Sequence, residues 1–209
     1  AVVGTGTDTG GSLRSPASFT NTVAIKPTYS RVSRYGIIAM ASSTDSIGHI
    51  TRTVEDSARV LSITAGHDPH DATSSKERVR DYCKGLDKGI QRVRIGIPQE
   101  YMGGGVDGEI KNVVHSVAKV YERLGASIVE ISLPHTEYAL AVYYLVQPSE
   151  VSSNLGRFDG IRYGHTREAS GAEAKRRIMI GSYALSAGFY DAYYLKAQKV
   201  RTLLIKDFK

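Results

Sequence analysis

The chain has 209 residues, enough to bury a substantial core without disulfide staples. Apolar residues make up 41% and charged residues 23%, a balance that excludes a disordered or fibrous polymer. Lysine and arginine outnumber the acids 27 to 21, a net +6 that only mildly favours a polyanionic partner, and the single cysteine, Cys83, cannot close an internal disulfide. No apolar run reaches the roughly 20 residues of a membrane span, and the opening AVVGTGTDTGG lacks the basic start of a signal peptide. The expected compartment is the cytoplasm, or an organelle in a eukaryotic host, with no membrane or DNA partner.

In chain order, Ala1 to Gly6 reads as a short strand running into Gly4–Ser18, whose glycines, threonines and serines predict a tight backbone loop. Thr53 predicts a helix cap, with Glu55 and Asp56 in the first turn, Val54, Ala58 and Leu61 on one face and Gly66 closing the helix after Ala65. His67–Ser75 is a polar loop. Val93, Ile95 and Ile97 alternate as a strand stopped by Pro98, and a turn follows over Gly103–Gly108. Ile110, Val113, Val114, Val117, Val120, Tyr121 and Leu124 then recur at helical steps up to Gly125, and Ser127–Leu133 resumes strand alternation before Pro134. This order predicts a right-handed βαβ crossover within a mixed or parallel sheet. Helical patterns dominate from Thr136 onward, apart from the polar stretch Arg157–Gly171. The abrupt first strand, and a helical pattern over Tyr190–Lys209 without a Gly or Pro stop, predict an interior piece of a longer protein, cut at both ends.

Chemistry concentrates in Gly6–Arg14, where Ser12 directly follows two glycines and a strand. A serine that attacks a carbonyl needs unpaired backbone N–H groups converging on the oxyanion, and glycines allow the turn that makes successive amides converge. The segment is neither a Walker loop, since no Gly-Lys-Ser/Thr follows, nor the G-x-S-x-G elbow. The proline inside His67-Asp68-Pro69-His70-Asp71 argues against helical metal-ligand spacing, so no metal site is expected. Cys83 lies among charged residues without an evident base, a spectator thiol. The basic clusters Lys175–Arg177 and Lys196–Lys209 lack the aromatic interleaving of an RNA platform.

The string Gly6–Lys26, GTDTGGSLRSPASFTNTVAIK, followed by PT, resembles the signature of the amidase signature family of Ser-Ser-Lys hydrolases. The continuation YSRVSRYGIIAMASSTDSIGHITRTVED is similar too. SLPHTEYALAVYYLVQPSEVSSNLGRFDGIRYG, AKRRIMIGSYAL and YDAYYLKAQKVRTLL resemble, within that family, its tRNA-dependent amidotransferase branch. The resemblance implies an α/β amidase signature fold, a mixed β-sheet core covered by α-helices on both faces. Residues 1–209 would form an interior portion of a single amidase domain. It places Ser12 as the nucleophile that forms the acyl ester, and the amides of Thr9, Gly10 and Gly11 in the oxyanion loop. Tyr143 and Arg177, with Arg176 beside it, fall on positions that bind the amino-acid end of glutamine. The family's proton relay, a lysine and a second serine, precedes this loop, so Lys26 is not the relay lysine.

The implied activity is release of ammonia from glutamine. Ammonia would pass to a partner, the amidotransferase's B subunit, which activates Glu-tRNA(Gln) or Asp-tRNA(Asn) with ATP and Mg²⁺, while a small C subunit braces the pair. This chain would need no cofactor of its own. A free-standing amidase of other specificity, or an interaction fragment without turnover, are the alternatives. Between FDGIRYG and AKRRIM the chain carries only HTREASGAE, shorter than the family's usual stretch.

Overall fold

A computed structural model describes residues 1–209. Its first sheet is antiparallel, in the order β1 (Gly4–Asp8), β3 (Ser46–Thr51), β2 (Val23–Ile25). The first strand lies later than residues 1–6 because its ladder to β3 sets Gly4 opposite Ile50 and Asp8 opposite Ser46. Gly6 and Gly48 face each other across this ladder, and neither has a side chain to fill the space between them. Leu13, 2% exposed, takes that space: a β-carbon on Gly48 would come 2.7 Å from its Cδ1 and one on Gly6 3.1 Å from its Cδ2. The residue after Ser12 is thereby locked into the sheet.

Helix α1 (Arg14–Thr20) continues the loop, and Asn21 in the left-handed region turns the chain back into β2. Helix α2 (Val54–Thr64) starts as expected: the Thr53 hydroxyl accepts from the Asp56 amide at 3.0 Å. Its Leu61, with Val32 and Ala65, forms a small core joined by Ile25, Ile47, Val79 and Tyr82.

Strands β4 (Arg94–Pro98) and β5 (Ser127–Ile131) pair in parallel around α3 (Gly108–Arg123), the expected βαβ unit, but as a separate two-stranded sheet. The chain is therefore α/β, as expected, with its strands divided between a small antiparallel sheet and a small parallel one. Two strands are too narrow to cover an amphipathic helix, and the apolar stripe from Ile110 to Leu124 stays 37–59% exposed. The total accessible surface is 14388 Å², against about 9500 Å² for a self-contained protein of this mass.

The C-terminal layer consists of α4 (Ala139–Asn154), α5 (Ala172–Ala184) and α6 (Lys196–Asp207), the last entered through a π-turn, Asp191–Leu195. Val142 and Val146 of α4 meet Ala197 of α6 in a second core. Helices α4 and α5 approach so closely that a β-carbon on Gly181 would lie 1.9 Å from the Pro148 carbonyl oxygen. Pro148 leaves one turn of α4 without its backbone donor. The last helix closes at Asp207, whose carboxylate receives the His135 amide at 2.9 Å and lies 2.8 Å from its Nδ1. No helix is long and apolar enough to cross a membrane.

Candidate active site

Ser12 sits at the surface in the turn between β1 and α1, directly after Gly11, whose φ of 141° is one that only glycine adopts without strain. The turn is organised around Asp8, fully buried at the end of β1. One carboxylate oxygen accepts from the Gly11 amide at 2.8 Å and from Arg14 Nη2 at 3.0 Å; the other accepts from the Leu13 amide at 3.2 Å and Arg14 Nε at 3.0 Å. Burial alone pushes the Asp8 carboxyl up, but the Arg14 hydrogen bonds, the Leu13 amide and the Arg14 charge together outweigh it and hold the group below the usual carboxylate range. The same contact raises the Arg14 guanidinium above its ordinary value.

A second carboxylate braces the loop from across the molecule. Asp45, 1% exposed, accepts from the Thr9 hydroxyl at 2.7 Å through one oxygen and from the Met40 and Ala41 amides at 2.8 and 3.1 Å through the other. The Asp45 loop is held in turn by Ser43, which Glu150 of α4 and Arg201 of α6 both engage.

The loop's amides fall into two groups. Those of Gly11 and Leu13 are spent on Asp8, whereas those of Thr9, Gly10 and Ser12 have no acceptor in the chain. Gly11 thus differs from its expected place among the oxyanion donors, because Asp8 takes its N–H, and the amide of Ser12 itself joins the free set. The Ser12 hydroxyl makes no hydrogen bond, and Lys26 lies apart, donating to the Pro27 carbonyl at 3.1 Å.

Tyr143 on α4 stands against this loop. A β-carbon on Gly10 would come 2.8 Å from its Cε2 and 3.0 Å from its hydroxyl, so only glycine lets the ring approach. Its ring meets Tyr144 edge-on at 5.3 Å. Arg177 on α5 reaches the same place: Nη1 donates to Gln147 Oε1 at 2.8 Å, Nε donates to Glu173 at 2.8 Å, and the guanidinium lies 5.5 Å from the Tyr144 ring centroid. The Glu173 carboxylate, and secondarily the Tyr143 hydroxyl, raise the Arg177 pKa against the opposing effect of burial. Arg176, one residue earlier and therefore about 100° round the helix, is exposed and bonds only to Glu173. Of the two adjacent arginines, Arg177 is the one that joins Tyr143.

Asp8, Arg14, Asp45 and Gln147 carried no assigned role in the sequence. Asp8 and Arg14 were within reach, a strand-terminal acid followed by a base in the turn; Asp45 and Gln147 are brought in only by tertiary contacts. In the His67–Asp71 stretch the acids are engaged locally. The Ser33 hydroxyl, chiefly, then His70 draw Asp68 down to about 2, while Asp71 binds Arg34 and Thr73.

The chain is 56% identical over 219 residues to the A subunit of glutamyl-tRNA(Gln) amidotransferase from Fusobacterium nucleatum, covering 98% of this chain and 45% of that protein. It is 54% identical over 223 residues to the same-named protein of Carboxydothermus hydrogenoformans, covering 100% and 46%. Both alignments are longer than this chain's 209 residues, so each relative has residues without counterparts here. Among solved structures, the A subunit of glutamyl-tRNA(Gln) amidotransferase from Thermotoga maritima matches with a TM-score of 0.80 at 39% identity, over 99% of this chain and 43% of that one. The chain thus spans somewhat less than half the length of these relatives. The Amidase family model matches residues 1–209 in full, the serine turn with its glycines and buried aspartate included: the chain belongs to the Amidase family.

Proposed function

We propose that the chain carries the nucleophile of a glutaminase that feeds ammonia to a tRNA-dependent amidotransferase. The observation that supports this most is the free set of amides, Thr9, Gly10 and Ser12, next to an exposed and unbonded Ser12 hydroxyl, with Tyr143 against Gly10 and Arg177 next to Tyr143. Ser12 Oγ attacks the side-chain carbonyl carbon of glutamine, and a carbon–oxygen bond forms as the carbonyl electrons move onto oxygen. The free amides stabilise that oxyanion, an effect worth about 2.7–4 kcal/mol per donor in a known hydrolase. The intermediate collapses with loss of ammonia, and water then cleaves the ester to release glutamate. The serine proton passes to the lysine and serine relay that the family places ahead of this loop, and the relay delivers it to the departing nitrogen, which leaves as ammonia. Arg177, always charged, suits the α-carboxylate, and its Tyr143 neighbour sets the distance from Ser12.

In this reading ammonia goes to the amidotransferase's B subunit, which uses ATP and Mg²⁺ to activate Glu-tRNA(Gln) or Asp-tRNA(Asn), with its C subunit bracing the pair. This chain's part is confined to glutamine; the aminoacyl-tRNA is met mainly through the partner.

The test uses the assembled amidotransferase. An electrophilic glutamine mimic should attach to Ser12, and Ser12→Ala should abolish glutamine-dependent transamidation while transamidation fed with free ammonia continues. Loss of both reactions, or label on another residue, overturns the proposal.

A further inference from the structure

We infer that Gln147 is a positioning residue that sets the preference for a carboxylate-bearing amide, an inference that rests on the reading of Arg177 given above. Gln147 lies in the middle of α4, 1% exposed, where an apolar residue would fill the same space. Arginine can only donate, so the Gln147 amide oxygen must be the atom facing Nη1. That orientation leaves Gln147 Nε2 buried with no acceptor. A buried donor without a partner is unfavourable, so packing alone does not account for an amide here. What the amide supplies is a neutral acceptor.

The neutrality matters because Arg177 already meets one carboxylate, Glu173, whose side chain is 56% exposed and screened by water. A second, buried carboxylate beneath the guanidinium would cancel its remaining attraction for an anionic ligand. Gln147 fixes the fork without spending its charge. With Nε on Glu173 and Nη1 on Gln147, Nη2 makes no hydrogen bond within the chain. The close approach of α4 and α5 at Gly181 and Pro148 is what brings the amide and the guanidinium within bonding distance.

The experiment compares two substrates in the assembled enzyme: L-glutamine, and 4-aminobutanamide, which is glutamine without its carboxylate. Gln147→Glu keeps the shape and the acceptor but adds a charge; the ratio of kcat/KM for glutamine over 4-aminobutanamide should fall by about tenfold or more, chiefly through KM for glutamine. Gln147→Met keeps the volume but releases Arg177, and should lower the same ratio; it carries the test by itself if the buried carboxylate prevents folding. The inference is overturned if either folded variant keeps the wild-type ratio, or if both substrates lose kcat/KM equally, which is the mark of a packing residue. An Arg177→Met enzyme that keeps the wild-type ratio would instead overturn the role of Arg177 itself.

Discussion

Asp8→Asn tests whether the turn that carries Ser12 is held by a buried charge. One Asp8 oxygen receives the Gly11 amide and Arg14 Nη2, the other the Leu13 and Arg14 amides and Arg14 Nε, so an asparagine, however it is turned, sets its NH₂ against at least one amide and one guanidinium N–H. Arg14 is 56% exposed and can turn to water at little cost. The backbone amides it faces, Gly11 on one side or Leu13 and Arg14 on the other, cannot, and a hydrogen bond to a charged acceptor contributes about 1.5–3 kcal/mol. With the weakening of the bonds that remain, the loss is about 3 kcal/mol, or a Tm lower by about 6–12 °C in a domain of this size. Denaturant titration and calorimetry at pH 7 measure it. The pH dependence has a definite sign: a carboxyl held below its unfolded value stabilises fully above that value, about 3.9, and its contribution disappears as pH falls through the lower, folded value. The gap between wild type and Asp8→Asn should therefore narrow on acidification below about pH 4. A gap under about 1 kcal/mol at pH 7, or one that widens in acid, would show that Asp8 does not hold the turn.

Asp45→Asn should spare the fold more than it spares turnover, because the asparagine oxygen can keep the Met40 and Ala41 amides while its NH₂ donates to the Thr9 hydroxyl, which must turn round and loses its charged acceptor. Glutamine kcat in the assembled enzyme should fall by about tenfold or more, and an unchanged kcat would remove Asp45 from the positioning of the loop. Gly181→Ala places a methyl 1.9 Å from the Pro148 oxygen and 2.8 Å from the Ser149 nitrogen, forcing α4 and α5 apart. Overpacking of this kind costs about 1–3 kcal/mol, and the separation should raise KM for glutamine by loosening Arg177 from Gln147; a wild-type Tm would show that the helices have room.

Local chemistry made some of this legible in the sequence. Thr53 caps α2 where hydroxyl and acids predict it, and the apolar steps from Ile110 to Leu124 do form a helix between parallel strands. The glycine turn likewise follows from composition, since Gly11 needs its φ of 141°. What escapes a local reading is whatever depends on pairing at a distance. Whether strands share one sheet is decided by their partners, and β4 and β5 find only each other. Asp45 lies 36 positions from Thr9 and Gln147 lies 30 from Arg177, separations with no periodicity to betray them. Arg176 and Arg177 are equivalent as a basic pair until α5 is docked against α4 and one helix face is chosen.

The remaining question is why a surface loop needs so many buried anchors. Amides stabilise an oxyanion in proportion to how little they must move when charge develops, yet a glycine-rich turn is by composition the most mobile kind of backbone. The contradiction is resolved outside the loop. Asp8 draws Gly11 and Leu13 inward, Leu13 fills the space left by Gly6 and Gly48, Asp45 holds the Thr9 side chain, and the Tyr143 ring closes over Gly10. Each anchor grips a residue next to a free amide and leaves that amide unspent. The glycines make the turn accessible and the anchors make it single-valued; neither would hold unpaired donors in place beside Ser12 without the other.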